Sequence, residues 1–210
     1  MRVITSEALA AGALTSVVDC LRSGGLVAFP TDTLYGLGAD ASDDKAIRRL
    51  YKAKNRPVDD PLPILLSDPR EARQVTLRMS DLALKLASRF WPGALTLVLP
   101  RSPAFHSLAL AGRDGVALRV PAHDVPRLLI EMLGRPITGT SANISGLPPP
   151  TTAQEVAEQL GKRIDIVIDG GRTPIGVEST VIDLVGEVPR LLREGAITRA
   201  QIEAVVGRVD

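Results

Sequence analysis

Cysteine, histidine and aromatic side chains are scarce in this 210-residue chain, with one Cys, two His and 3% aromatics. A lone Cys20 forms no internal disulfide, which points to a reducing compartment. It lies in an amphipathic run with Val17, Val18 and Leu21, so it reads as a packing residue and not as a nucleophile. His106 and His123 stand far apart, without ligand spacing to a cysteine or carboxylate, so no metal site is expected. With few aromatics, platforms for stacking bases are scarce. Net charge is only +1, from 25 Lys and Arg against 24 Asp and Glu. The signs are interspersed, so there is no basic tail for nucleic acid and no acidic tail. The mildly apolar run from Ala8 to Val18 is bracketed by Glu7 and Asp19. It is shorter than the ~20 residues a bilayer span needs, so neither a membrane span nor a signal peptide is expected and residence is read as cytoplasmic.

What is present is enough to build a core. Hydrophobic residues make up 45% of the chain against 23% charged, which suffices without disulfides or structural metal. The length is nearer one typical domain of ~150 residues than two, and no spacer interrupts the pattern, so residues 1–210 read as a single domain.

Apolar spacing predicts helices over 7–23, 43–54, 81–90, 125–133 and 153–160. Thr152, followed three residues later by Glu155, gives the last a capping-box start. Short buried strands are predicted at 26–29, 64–66, 95–99, 116–120, 136–138, 164–168 and 180–184. Strands separated by helices indicate an α/β fold. After Ile164 the Gly-rich turns Gly170-Gly171 and Gly186 suggest hairpin-like connections, so the fold is read as a twisted open mixed sheet with flanking helices. Leu147 to Thr152, with three consecutive prolines, reads as a stiff loop.

Two nucleotide signatures are incomplete. Gly36-Leu37-Gly38 lacks the third glycine of a dinucleotide fingerprint, and Gly171 to Gly176 has P-loop spacing but is followed by Val177 instead of Lys. Four polar clusters remain, at strand ends, where open α/β sheets bind ligands. Pro30 to Gly38 carries Thr31, Asp32 and Thr33 before two glycines; it reads either as a ligand loop or as a turn bonding its own backbone. Lys52 to Pro57 crowds cations at a helix end, where they complement the dipole. Lys54 and Arg56 also fall where prolines stiffen the chain, an arrangement suited to polyphosphate. Thr138 to Gly146 is uncharged, with Ser141 and Asn143 suited to ribose or phosphate oxygens or to a simple turn. Gly170 to Thr180 carries one cation, Glu178 and the hydroxyl of Ser179. Arg119 and Arg193 are isolated cations in apolar runs, each requiring an ion partner or a cavity.

In this order the segments GGLVAFPTDTLYGLGADA, LYKAKNRPVDDPLPILL, WPGALTLVLP, VALRVPAHD, TGTSANISG, DIVIDGG, GVESTVIDL and LLREGAIT resemble the YrdC domain family of threonylcarbamoyl-AMP synthases over nearly the whole chain. The family's Lys-x-Arg and Ser-x-Asn signatures stand as Lys54/Arg56 and Ser141/Asn143. The resemblance implies a YrdC/RibB-like α/β sheet with a concave, cationic face. It also implies synthesis of L-threonylcarbamoyladenylate from L-threonine, bicarbonate or CO2 and ATP with release of pyrophosphate, the first step of threonylcarbamoylation of adenosine 37 in tRNA. Carried over, Lys54, Arg56, Ser141, Asn143 and Arg193 contact ATP, accompanied by Mg²⁺, with Lys54 and Arg56 serving catalysis. Thr31, Arg119 and Ser179 hold threonine.

The product would pass to the tRNA threonylcarbamoyl transferase machinery, and weak RNA binding is a further expectation. Some longer members carry a His where PLPILL offers Leu65, and an additional carboxyl-terminal domain whose function is expected here to be absent or supplied by another protein. The alternatives are a carbamoyl-adenylate-forming domain and a non-enzymatic RNA-binding or ribosome-assembly module.

Overall fold

The computed structural model describes residues 1–5 and 8–210. In chain order the strands are β1 (Arg2–Thr5), β2 (Val27–Phe29), β3 (Gly36–Gly38), β4 (Ile64–Leu65), β5 (Leu95–Pro100), β6 (Gly115–Arg119), β7 (Ile137–Thr138), β8 (Thr140–Ser141), β9 (Ile166–Asp169), β10 (Thr180–Asp183) and β11 (Arg190–Arg193). The principal helices are α1 (Leu14–Arg22), α2 (Asp44–Lys54), α3 (Asp81–Phe90), α4 (Asp124–Leu133), α5 (Ala153–Leu160) and α6 (Arg199–Val206). The predicted helix over 7–23 is divided: Leu9–Ala13 winds more widely, with Gly12 at φ 99°, before α1 begins. Its predicted first residue, Glu7, lies outside the described residues.

Local chemistry explains the helix ends. Asp43 accepts from Lys45 N and Ala46 N to start α2, and Ser80 accepts from Ala83 N to start α3, each satisfying backbone donors that a helix leaves unpaired. Thr152 accepts from Glu155 N at 3.2 Å as the capping pattern predicts, but the Glu155 carboxylate turns to Thr151 N at 2.6 Å. A full capping box occurs instead at Thr198 and Gln201, opening α6, a helix the apolar spacing did not announce.

The α/β class and mixed strand directions agree with the sequence reading, while the ladders divide into two sheets. One has the order β1-β9-β2-β3-β8 and the other β11-β10-β5-β6-β4-β7. The turn at Gly170-Gly171 is therefore not a hairpin: it carries the chain from β9 in one sheet toward β10 in the other. The hairpin expectation holds for β10 and β11, which pair antiparallel across the turn containing Gly186. The sheets meet where Asp40 bridges Ile137 and Thr138 N donates to Ala39 O at 2.9 Å. There β7 runs on into β8, interrupted by Gly139, so one extended segment passes between sheets. A Cβ on Gly139 would collide with the Leu65 side chain, so only glycine permits this approach.

Strand alternation then decides what faces the crevice. In the five-stranded sheet, Val27, Phe29, Ile166 and Ile168 join Val17, Leu21, Leu129 and Ile130 of α1 and α4 in one core, while Ala28 and Val167 face the larger core on the other side. In the six-stranded sheet, Leu95, Leu97, Leu99, Val116, Leu118 and Ile182 enter the larger core with Leu86 and Ile202 of α3 and α6. The residues between them, Thr96, Val98, Ala117, Arg119 and Val181, line a cavity, as a period of two requires.

Candidate active site

The cavity has a volume of about 280 Å³, near the lower edge of the ~300–1,000 Å³ typical of small-molecule sites. Its base is the face of β5, β6 and β10. One side is the loop from Thr31 to Gly36, and the other is Gly139 to Ser141, with Arg56, Glu178 and Arg193 around the mouth. Six of the eight residues predicted from the sequence line it: Thr31, Arg56, Arg119, Ser141, Ser179 and Arg193. Lys54 and Asn143 lie buried behind that lining.

Arg119, at the end of β6, is 7% exposed. Its Nη2 donates to Asp32 Oδ1 at 2.6 Å, Nη1 to Thr33 Oγ1 at 2.9 Å and Nε to Gly93 O at 2.9 Å. Burial pulls its pKa down, and the Asp32 charge opposes that pull. Asp32 also accepts from Ala122 N at 3.1 Å, while its Oδ2 has no hydrogen-bond partner. Arg119 is thus both ion-paired and cavity-facing, satisfying the two requirements that its apolar sequence context posed as alternatives.

The loop beginning at Thr31 is fastened from within. Thr31 Oγ1 donates to Leu34 O at 2.7 Å and accepts from Thr33 N and Leu34 N at 3.1 and 3.2 Å. Its hydroxyl therefore stabilises its own turn, as Ser and Thr hydroxyls do in loops. The Gly170 to Gly176 loop docks onto this turn: Ile175 N and Gly176 N donate to Asp32 O and Thr33 O. Tyr35 Oη donates to Gly171 O at 2.8 Å.

At the mouth, α2 ends with Asn55 in the left-handed conformation, φ 51°, which turns Arg56 toward the cavity. Arg56 Nη2 pairs with Asp60 Oδ1 at 2.9 Å and donates to Pro61 O at 2.9 Å. Arg193, on β11, pairs through Nη1 with Glu178 Oε1 at 3.0 Å and donates through Nη2 to Ser179 O at 2.9 Å.

Lys54 is only 1% exposed. Its Nζ donates to the carbonyls of Ser141 and of Asn143, the latter at 2.7 Å, and approaches Asn143 Oδ1 at 3.5 Å. The Asn143 amide in turn donates to Ile144 O and Leu147 O at 3.0 and 2.7 Å. These contacts pin the 141–147 loop to the end of α2. Burial, with a further push from Arg56, lowers the Lys54 pKa to about 7, against the upward pull of Glu178.

Four contributors to the site were not among the predicted residues. Asp32, Thr33 and Glu178 stand in clusters the sequence marks, but nothing in the sequence shows that Asp32 and Thr33 grip Arg119 from 87 and 86 positions away. Thr96 sits in an apolar strand, and its only signal is a hydroxyl in phase with Val98 on the cavity face. Among the described residues no group of three or more His, Cys, Asp or Glu side chains is gathered as a metal would need, and no helix is long and apolar enough to cross a membrane. His123 accepts through Nδ1 from Val125 N at the start of α4, and burial lowers its pKa. Cys20 is half-buried, its thiol pKa raised chiefly by burial.

Known proteins show the same organisation. The chain is 49% identical over 189 residues to the Threonylcarbamoyl-AMP synthase of Pyrococcus abyssi, covering 90% of this chain and 56% of that protein. It is 47% identical over 190 residues to the Bacillus subtilis protein of the same name, covering 90% of this chain and 55% of that one. The chain thus spans little more than half the length of these relatives. The crystal structure of P. abyssi Sua5 complexed with L-threonine superposes with a TM-score of 0.94 at 44% identity, covering all of this chain and 62% of that one. The family model for Sua5, YciO and YrdC proteins, described as Telomere recombination, matches residues 19–195. That match runs from within α1 to just past β11 and includes every residue that lines the cavity, so the chain belongs to the Sua5/YciO/YrdC family.

Proposed function

We propose that this chain makes L-threonylcarbamoyladenylate from L-threonine, CO2 or bicarbonate, and ATP. The observation that carries this reading is the polarity of one cavity: a buried, pre-oriented guanidinium on its sheet face, and two further guanidinium groups at its mouth. The names of the similar proteins and the threonine-bound P. abyssi structure support it.

Arg119 takes the threonine carboxylate, and Ser179 supplies a hydroxyl beside it. Thr31 contributes through the turn it stabilises. The neutral threonine amine adds to CO2, losing a proton, to give a carbamate. A carbamate oxygen then attacks the α-phosphorus of ATP and pyrophosphate departs with the electrons of the broken P–O bond. Positioning and neutralisation of charge carry such a reaction, and no side-chain nucleophile is required.

Arg56 and Arg193 receive the polyphosphate by exchanging carboxylate partners for phosphate oxygens, and Ser141 offers a hydroxyl to the nucleotide. Lys54 and Asn143 act behind it by holding the loop that carries Ser141. Mg²⁺ enters as part of the nucleotide substrate. Glu178 is the sole carboxylate side chain lining the cavity among the described residues, too few for a metal held by protein alone. The adenylate then serves the transferase machinery that modifies adenosine 37 of tRNA, in the cytoplasm.

The test is pyrophosphate release with and without L-threonine and bicarbonate, with mass analysis of the nucleotide product. Release dependent on both, with a product of threonylcarbamoyladenylate mass, is expected. Release unaffected by threonine would overturn the reading.

A further inference from the structure

We infer that Thr96 is a specificity-determining residue which, with Ser179, reads the β-hydroxyl of the amino-acid substrate; this deepens the amino-acid reading above and rests on it. The position of Thr96 comes from strand register. β5 runs between β10 and β6, with Val181 paired to Thr96 on one side. On the other side the register pairs Leu97 with Leu118 and Val98 with Ala117; carried one residue further, it sets Thr96 across from Arg119. Thr96 is 1% exposed yet lines the cavity, and its companions on that face, Val98, Ala117 and Val181, are apolar. Its Oγ1 lies 2.9 Å from Ser179 Oγ.

A proton count shows what this corner lacks. Two hydroxyls bring two protons, and the single contact between their oxygens uses one. Ser179 Oγ also accepts from Arg193 Nη2 at 3.3 Å, which consumes acceptor capacity and supplies none. One hydroxyl proton therefore points to no protein acceptor in a buried wall, where an unmade hydrogen bond is costly.

Arg119 has a matching surplus. Three of its five N–H groups go to Gly93 O, Thr33 Oγ1 and Asp32 Oδ1, leaving two for a ligand. Thr96 and Arg119 line one cavity from facing positions on adjacent strands, so a small molecule bearing a carboxylate and a hydroxyl on neighbouring carbons meets both there. The wall thus offers a carboxylate receptor on β6 and, one strand away, a donor seeking a neutral oxygen, with valine and alanine side chains beside them for a methyl group. An analogue lacking the hydroxyl leaves that donor unpaired, the situation in which polar sites discriminate most strongly.

The test is direct binding, by calorimetry or ligand NMR, of L-threonine and L-2-aminobutyrate to the wild-type chain, Thr96→Val and Thr96→Ser, with ATP affinity measured in parallel. Wild type is expected to prefer threonine by ~10-fold or more. Thr96→Val is expected to lose most of that preference through weaker threonine binding, with ATP affinity unchanged, and Thr96→Ser to restore it. An unchanged preference in Thr96→Val, or an equal loss for both amino acids, would overturn the role of Thr96 while leaving threonine as substrate. Failure of the wild-type chain to bind threonine at all would overturn both.

Discussion

The two ends of the cavity hold their cations in opposite ways. On the sheet face, Arg119 is gripped by two side chains and a backbone carbonyl, and its carboxylate partner Asp32 is buried with it. At the mouth, Arg56 and Arg193 are paired with carboxylates whose side chains are 54% and 43% exposed. A solvent-exposed pair contributes ~0–1 kcal/mol, so a polyphosphate can replace Asp60 or Glu178 at small cost. Breaking a buried pair leaves a stranded charge. One end is therefore built to fix a small ligand in register, and the other to exchange partners as a larger anion arrives.

The sharpest way to break this contrast is to strand Asp32. Arg119→Met is expected to lose about 3–5 kcal/mol of stability and all measurable threonine binding. Adding Asp32→Asn should recover much of the stability without restoring threonine binding, because the two residues act as a coupled pair. Denaturant titration of the single and double variants checks this, and a loss below ~1 kcal/mol in Arg119→Met would place its pair with the exposed ones.

At the mouth the expected pattern reverses. Arg56→Ala should slow turnover by ~10²-fold, as removal of one group stabilising developing charge does, while shifting stability by no more than ~1 kcal/mol. Pyrophosphate-release kinetics beside a melting curve separates the two effects. An unchanged rate would remove Arg56 from the site.

Lys54 sharpens the comparison through protons. Its pKa is lowered to about 7, and a polyanion bound nearby must raise it. ATP binding at about pH 8 should therefore take up a fraction of a proton, read by calorimetry in two buffers of different ionisation enthalpy. Lys54→Met should abolish the uptake. In the unliganded protein the unfolded chain binds more protons from this group between about pH 7 and its ordinary value of 10.5. Stability should accordingly rise with pH across that window, less steeply in Lys54→Met.

The smallest effect is expected at Glu178. Glu178→Gln removes a competitor for Arg193 and should lower the KM for ATP, by at most ~5-fold. That gain should shrink in high salt, which screens exposed charges.

Much of this molecule was legible in the sequence because its signals are local. The spacing of Ile47, Leu50 and Tyr51 marks the inner face of α2, and the apolar runs at 95–99 and 116–120 mark β5 and β6. The polar clusters at strand ends do meet, since six of the eight predicted residues share one cavity. What was hidden depends on pairing between distant segments. Nothing local shows that ladder bonding divides the strands into two sheets at Gly139, nor that β3 and β8, only three and two residues long, are strands at all.

Side-chain direction was equally hidden. Lys54 and Arg56 differ by two positions, yet the left-handed turn at Asn55 sends one inward to the Ser141 and Asn143 carbonyls and the other to the cavity mouth. Thr31 shows the same effect, its hydroxyl closing its own turn.

The most direct measurement of the central claim is a crystal structure of this chain with L-threonine and a non-hydrolysable ATP analogue. The expected result has the threonine carboxylate on the two free N–H groups of Arg119 and the triphosphate at Arg56 and Arg193, with Asp60 and Glu178 displaced. Threonine bound away from Arg119, or a triphosphate seated elsewhere with both mouth pairs intact, would contradict it.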